Sequence, residues 1–201
     1  MSNTKEQIIQ AASRLMHLQG FNHTSIDDVL KESGVGKGNF YYYFKSKEEL
    51  GYAIIEGNLK RFSEHVMGKA FDNHKDPLAQ VDNFLDIILE VHRQRNCSGG
   101  CPLGNMAMEL SDIHEGFRKK FQEVFAGWRV QVANVLQRAK ASGQLNDNVD
   151  PTRLAQFVIA GIEGGILLTK VKKNIKVLES CFEELKKHIR MYVGHGGLQA
   201  D

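Results

Sequence analysis

The chain has 201 residues, of which 42% are hydrophobic and 25% charged, with a formal net charge of +2. That length allows one substantial core with a smaller module beside it and excludes a string of independent enzyme domains, while the ordinary composition excludes global disorder. The near-balanced charge excludes a histone-like excess of cations, so any nucleic-acid surface has to be local.

Residues 1–7 are polar and lead straight into a helical pattern, and no apolar run has the length of a bilayer span. The expectation is a cytoplasmic protein without a membrane partner. Cys97, Cys101 and Cys181 cannot all pair, and reduced thiols are expected there. Pro77, Pro102 and Pro151 each fit the first turn of a helix, where a missing N–H does no harm, and the chain reads as all-α.

Ile8, Ala12, Leu15 and Met16 recur at helical spacing with Gly20 behind them, which predicts a first helix over about residues 4–19. Ser25-Ile-Asp-Asp28 is a capping box ahead of Ile26, Val29 and Leu30, a second short helix stopping near Gly34. Lys37 to Tyr43 reads as a third, and Ser46-Lys-Glu-Glu49 is another capping box, opening a long linking helix over about 46–70. Asp76-Pro77 and Asp150-Pro151 each place an N-cap residue before proline at the first helical position. Between them Phe117, Phe121, Val124, Phe125, Trp128, Val132, Leu136 and Ala139 form one stripe ending at Ser142-Gly143. Two more helices are predicted near 151–172 and 175–193, and the glycine-rich stretch 194–201 reads as a loose tail. The expected division is a smaller three-helix N-terminal domain, 1–47, and a larger helical domain, 48–193.

Ser25 to Tyr43 has the anatomy of a helix-turn-helix, two short helices around a glycine-containing turn. Phe40 and Phe44 are four apart and share an anchoring face; the opposite face is Gly38 and Tyr42, flanked by Asn39 and Tyr41. No acidic residue lies between Ser33 and Lys47, while Lys37, Lys45 and Lys47 do, so the local field is positive. Gly38, lacking a side chain, lets the helix start approach a phosphate backbone closely.

The segments Thr24-Ser-Ile-Asp-Asp-Val-Leu30 and Gly34-Val-Gly-Lys-Gly-Asn-Phe-Tyr-Tyr-Tyr-Phe-Lys-Ser-Lys-Glu-Glu-Leu50 resemble the signature of the TetR family of repressors, over about the first 60 residues. The resemblance implies a homodimer of all-α subunits, each with a three-helix DNA-binding domain and a helical domain that binds an inducer. By position it implies that Thr24 and Ser25 cap the second helix against phosphate. Lys37 and Asn39 would face base edges, and Tyr41, Tyr42 and Lys47 would hold the backbone of a palindromic operator. Gly36 departs from the serine frequent at that place, which removes one phosphate contact.

Asn96-Cys-Ser-Gly-Gly-Cys-Pro-Leu-Gly-Asn105 puts Cys101 directly before proline at a helix start. There the helix dipole and free amides favour a thiolate, whereas an inert thiol at a turn is the plainer alternative. Cys97 is close enough in sequence to act as a resolving thiol. The region from about 92 to 143, with Gly100-Cys101 and Glu109-Leu110-Ser111, resembles a TetR subgroup that contains the N-ethylmaleimide-responsive and acrylate-responsive repressors. That resemblance implies a thiol sensor of electrophiles or oxidants at Cys101 and matches Lys170 to its lysine partner.

Gly161-Ile-Glu-Gly-Gly165 places small residues at helical spacing, for a dimer seam through the last two helices or for packing within the subunit. No phosphate loop, dinucleotide fingerprint, zinc-protease or nucleophile-elbow motif occurs, and Cys101 with His92 or His114 has no orienting third group, so no enzyme activity and no cofactor are expected. Cys97 and Cys101 alone are a weak zinc signal, and no metal is expected.

Overall fold

The computed structural model describes residues 3–71 and 76–194. Its helices are α1 (Asn3–Gln19), α2 (Ile26–Ser33), α3 (Lys37–Tyr43), α4 (Lys47–Phe62), α5 (Gly68–Ala70), α6 (Pro77–Gln94), α7 (Pro102–Leu110), α8 (Glu115–Ala141), α9 (Pro151–Lys172) and α10 (Ile175–Arg190). Among the described residues the only β pairing is an isolated bridge between Leu145 and Val193, so the chain is all-α. The expected tail lies, from residue 195 onward, outside the described residues.

The caps explain most helix starts. At α2 the Ser25 hydroxyl accepts from Asp28 N at 3.1 Å while Asp28 Oδ2 accepts from Ser25 N at 2.9 Å, a complete capping box. Gly34 ends that helix with φ +67°, a left-handed turn that costs glycine least. The second expected box is altered: Ser46 Oγ accepts from Glu49 N, but the Glu49 carboxylate reaches back to Lys45 N, at 2.7 Å. Asp76 and Asp150 cap α6 and α9, each with proline in the first turn, and Asn174 caps α10. The linking helix is not one uniform α-helix over 46–70. It passes through a π-helical turn, Ser63–Met67, before α5.

Two compact units result, Met1–Arg61 with Pro102–Phe121, and Phe62–Cys101 with Gln122–Asp201. These compact units do not divide at residue 47: α4, α7 and the start of α8 belong with the helix-turn-helix. The reason is packing. Gly51 on α4 faces Phe21 and Phe117, whose rings meet edge to face at 5.3 Å, and a Cβ at 51 would lie 2.8 Å from both. Glycine therefore permits this approach, and a larger residue would overpack it. In the first unit α1 packs on α2, α3 and α7 around the buried side chains of Ile8, Met16, Phe40, Phe44 and Leu50.

In the second unit α10 packs on α9 and α6, burying Phe84, Leu85, Val158, Ile162, Leu178 and Phe182. Gly161 and Gly165 serve this intramolecular contact. A Cβ at 161 would meet Leu185 at 3.4 Å, and one at 165 would meet Leu178 at 3.0 Å and Cys181 at 3.2 Å. Gly164 has nothing within 4 Å. Contrary to the sequence expectation, α9 is long and apolar enough to cross a membrane, with mean hydropathy 1.5 over 18 residues. Its apolar residues fall on two opposite faces: one is buried within the subunit, and the other is largely exposed, although Phe157 on it lies 4.7 Å from the His188 ring of α10.

Candidate functional site

Two groups of sequence-predicted residues can be followed in the structure. On α3, Phe40 is fully buried and Phe44 nearly so, which fixes the outward face. Lys37, Gly38, Asn39, Tyr41 and Tyr42 are all exposed, Tyr42 with 74% of its surface in solvent. A Cβ at Gly36 or Gly38 would meet nothing within 4 Å. Glycine inside a helix costs about 1 kcal/mol relative to alanine. Nothing within the subunit requires it at 38, so the open space there suits a surface that meets something else closely.

Thr24 and Lys47 need correction as phosphate-binding side chains. Thr24 is fully buried; its hydroxyl donates to Gly20 O at 2.7 Å and accepts from Gln19 Nε2 at 3.3 Å. Lys47 is only partly exposed, and its ammonium donates to Phe21 O at 3.1 Å and Thr24 O at 3.2 Å while lying 4.6 Å from the Phe21 ring centroid. Both residues fold the loop between α1 and α2 rather than face outward. Ser25 is exposed, but its proton is committed to Asp28 Oδ2 at 2.6 Å, so its role in the subunit is the cap.

The loop before α7 is backbone-constrained. Asn96, Cys97, Gly99 and Gly100 all have positive φ, which costs side-chain-bearing residues of order 1 kcal/mol each. Cys101 directly precedes Pro102, the first residue of α7, and is partly exposed. Cys97 is buried, which favours its being incidental over its being a resolving thiol. The residue from α9 that meets Cys101 is Glu163, whose carboxyl accepts a hydrogen bond from the thiol. Lys170, the partner expected by resemblance, is seven residues further along α9, about two turns and ~10 Å along the axis. Sequence reading missed Glu163, although an acid amid the apolar run Ile159 to Leu168 is itself a signal.

Burial pushes the Glu163 carboxyl above its ordinary 4.5, and the Cys101 hydrogen bond pulls partly back. An acid so raised binds its proton more tightly in the folded chain than in the unfolded one. Its contribution to stability is full below about pH 4.5 and is lost as pH rises through the folded value. Glu163→Gln preserves shape and removes the charge, so its thermal midpoint should fall less than that of the wild type between about pH 5 and 8. Thermal melts across that range measure this, and parallel curves would contradict a raised Glu163 carboxyl.

An acid-free, tyrosine-bearing helix presented outward by two phenylalanines, next to a capped partner helix, defines a helix-turn-helix DNA-binding regulator. Comparison with known proteins gives the particular family. Residues 8–54 match the model of bacterial regulatory proteins of the tetR family, and residues 77–185 match a tetracyclin repressor-like C-terminal domain. The chain belongs to the TetR family of DNA-binding transcriptional regulators. It is 38% identical over 186 residues to an uncharacterized HTH-type transcriptional regulator in the lacX 3' region of Lactococcus lactis subsp. lactis, covering 92% of this chain and 93% of that relative. It is 28% identical to the transcriptional regulator AcuR of Cereibacter sphaeroides, covering 91% and 84%. A regulatory protein TetR from Rhodobacter sphaeroides superposes with a TM-score of 0.86 at 29% identity, over 93% of this chain and 99% of that one. These relatives are regulators of transcription.

Proposed function

We propose that the chain is a cytoplasmic, homodimeric repressor. It binds a palindromic operator through α3 and is released when an electrophile, an oxidant or a small effector acts at Cys101. The DNA half of this reading is carried by the exposed, acid-free face of α3. Lys37, Gly38, Asn39, Tyr41 and Tyr42 are exposed there, and by resemblance Lys37 and Asn39 would face base edges while Tyr41 and Tyr42 would meet the phosphate backbone, which Gly38 would let approach closely. Ser25 contributes by holding the start of α2, and two copies of α3 would meet successive major grooves about one helical turn apart.

The signal half rests on the partly exposed Cys101 thiol hydrogen-bonded to Glu163. Addition to an electron-poor alkene forms an S–C bond and breaks the alkene π bond. The thiol proton passes to the adjacent carbon, with Glu163 placed to relay it. Lys170, on the same helix, is placed by resemblance as a further partner of the modified sulfur. Release requires that the modified protein favour a dimer state that fits the operator poorly.

The experiment uses a duplex enriched by the wild-type protein from a randomised pool, titrated over a salt series before and after N-ethylmaleimide or hydrogen peroxide. Wild type should bind with strong salt dependence and weaken by about tenfold or more on treatment, while Cys101→Ala should bind equally and not respond. Equal release of both proteins would remove Cys101 as the sensor. Binding with neither salt dependence nor sequence preference would remove α3 as the reader.

A further inference from the structure

The short loop between α1 and α2 is gripped from two sides. Its donors, Phe21 N and Asn22 N, bond to the two carboxylate oxygens of Glu109 on α7, at 2.8 and 2.7 Å. Its acceptors, Phe21 O and Thr24 O, take the Lys47 ammonium of α4. An anion thus satisfies the amides and a cation the carbonyls of the same few residues, and hydrogen bonds to charged groups are the stronger kind. Gly20 keeps the room for this. Its φ is +95°, and a Cβ there would stand 3.1 Å from Glu109 Oε2.

The grip sits immediately before the Ser25 cap of α2. That helix has eight residues and α3 seven, too few to hold a pose by backbone bonds alone. Each buries one fully enclosed side chain, Val29 and Phe40. The orientation of the reading helices therefore depends on where the α1–α2 loop is held. We propose that Glu109 is a positioning residue for operator recognition: its carboxylate, reaching the loop from α7, sets the pose in which α2 and α3 meet DNA. This rests on the DNA-binding class of the chain and not on the thiol reading.

Glu109→Gln keeps the length but puts one amide nitrogen against a backbone donor, and Glu109→Asp keeps the charge but withdraws it by one methylene. Both are compared with wild type on the pool-enriched duplex and on a scrambled duplex of equal composition, scaled to the folded fraction of each preparation. If the competent pose falls to about a tenth of the population, operator affinity falls about tenfold. Affinity for the scrambled duplex, set by charge alone, stays within about twofold. Amide exchange at Phe21 and Asn22 should accelerate in the same variants. A purely structural Glu109 would lower the melting temperature and leave the ratio of the two affinities unchanged. An unchanged ratio in either folded variant overturns the proposal, and should Glu109→Gln fail to fold, Glu109→Asp decides it.

Discussion

Phe40→Ala is expected to abolish specific DNA binding by loosening α3 while leaving every exposed contact residue in place. The ring is fully buried, 5.3 Å from the Tyr41 ring and 6.0 Å from that of Phe44. Truncating an enclosed phenylalanine costs about 3–5 kcal/mol through lost transfer energy and the cavity left behind. A whole domain is held by roughly 5–15 kcal/mol, so the loss is a large share of the total. With Phe40 gone, a seven-residue helix keeps only Phe44, at its C-cap, as a buried anchor, which is too little to hold its place. Thermal unfolding should report the destabilisation and duplex titration the lost affinity. Tyr42→Ala is the contrast, since that side chain is mostly in solvent: stability should change by no more than about 0.5 kcal/mol while affinity still declines. A Phe40→Ala protein with wild-type melting and affinity would mean that α3 is held by something other than its anchors.

What could be read from residues alone divides by range along the chain. The capping box at Ser25, the glycine stop at Gly34 and the aspartate-proline starts at 76 and 150 are local signals, and each marks a real boundary. So is the four-residue spacing of Phe40 and Phe44. The errors concern partners far away. Lys47 reads as a cation available to phosphate, yet its ammonium is spent on carbonyls more than twenty residues earlier. Glu109 is 87 residues from Asn22, and helix periodicity says nothing of such a pair. Glu163 stands among glycines whose spacing signals close helix packing and carries no sign of a distant thiol partner. The π-helical turn at Ser63–Met67 has no proline or glycine within it to announce it.

The second large effect concerns α9. Its buried residues, among them Ala155, Ile159, Ile162 and Ile166, lie on one face, and Phe157, Leu167, Leu168 and Val171 repeat at helical spacing on the opposite one. Phe157 and Leu168 are about half exposed and Val171 is 71% exposed, with Gly164 open between them. An apolar stripe of this kind is costly to leave wet, and a second copy related by a two-fold axis would cover it with its own. On that proposed seam, Leu168→Glu places two like charges at the interface, and a buried, unpartnered charge costs about 3–5 kcal/mol. The variant should sediment as a monomer at concentrations where wild type is a dimer. Operator affinity should fall on the order of 100-fold, because two linked reading helices gain their avidity from being joined. The subunit's own helices should stay folded, since Leu168 is half exposed. A Leu168→Glu protein that remained dimeric would move the seam off this face of α9 and leave the exposed stripe to another partner.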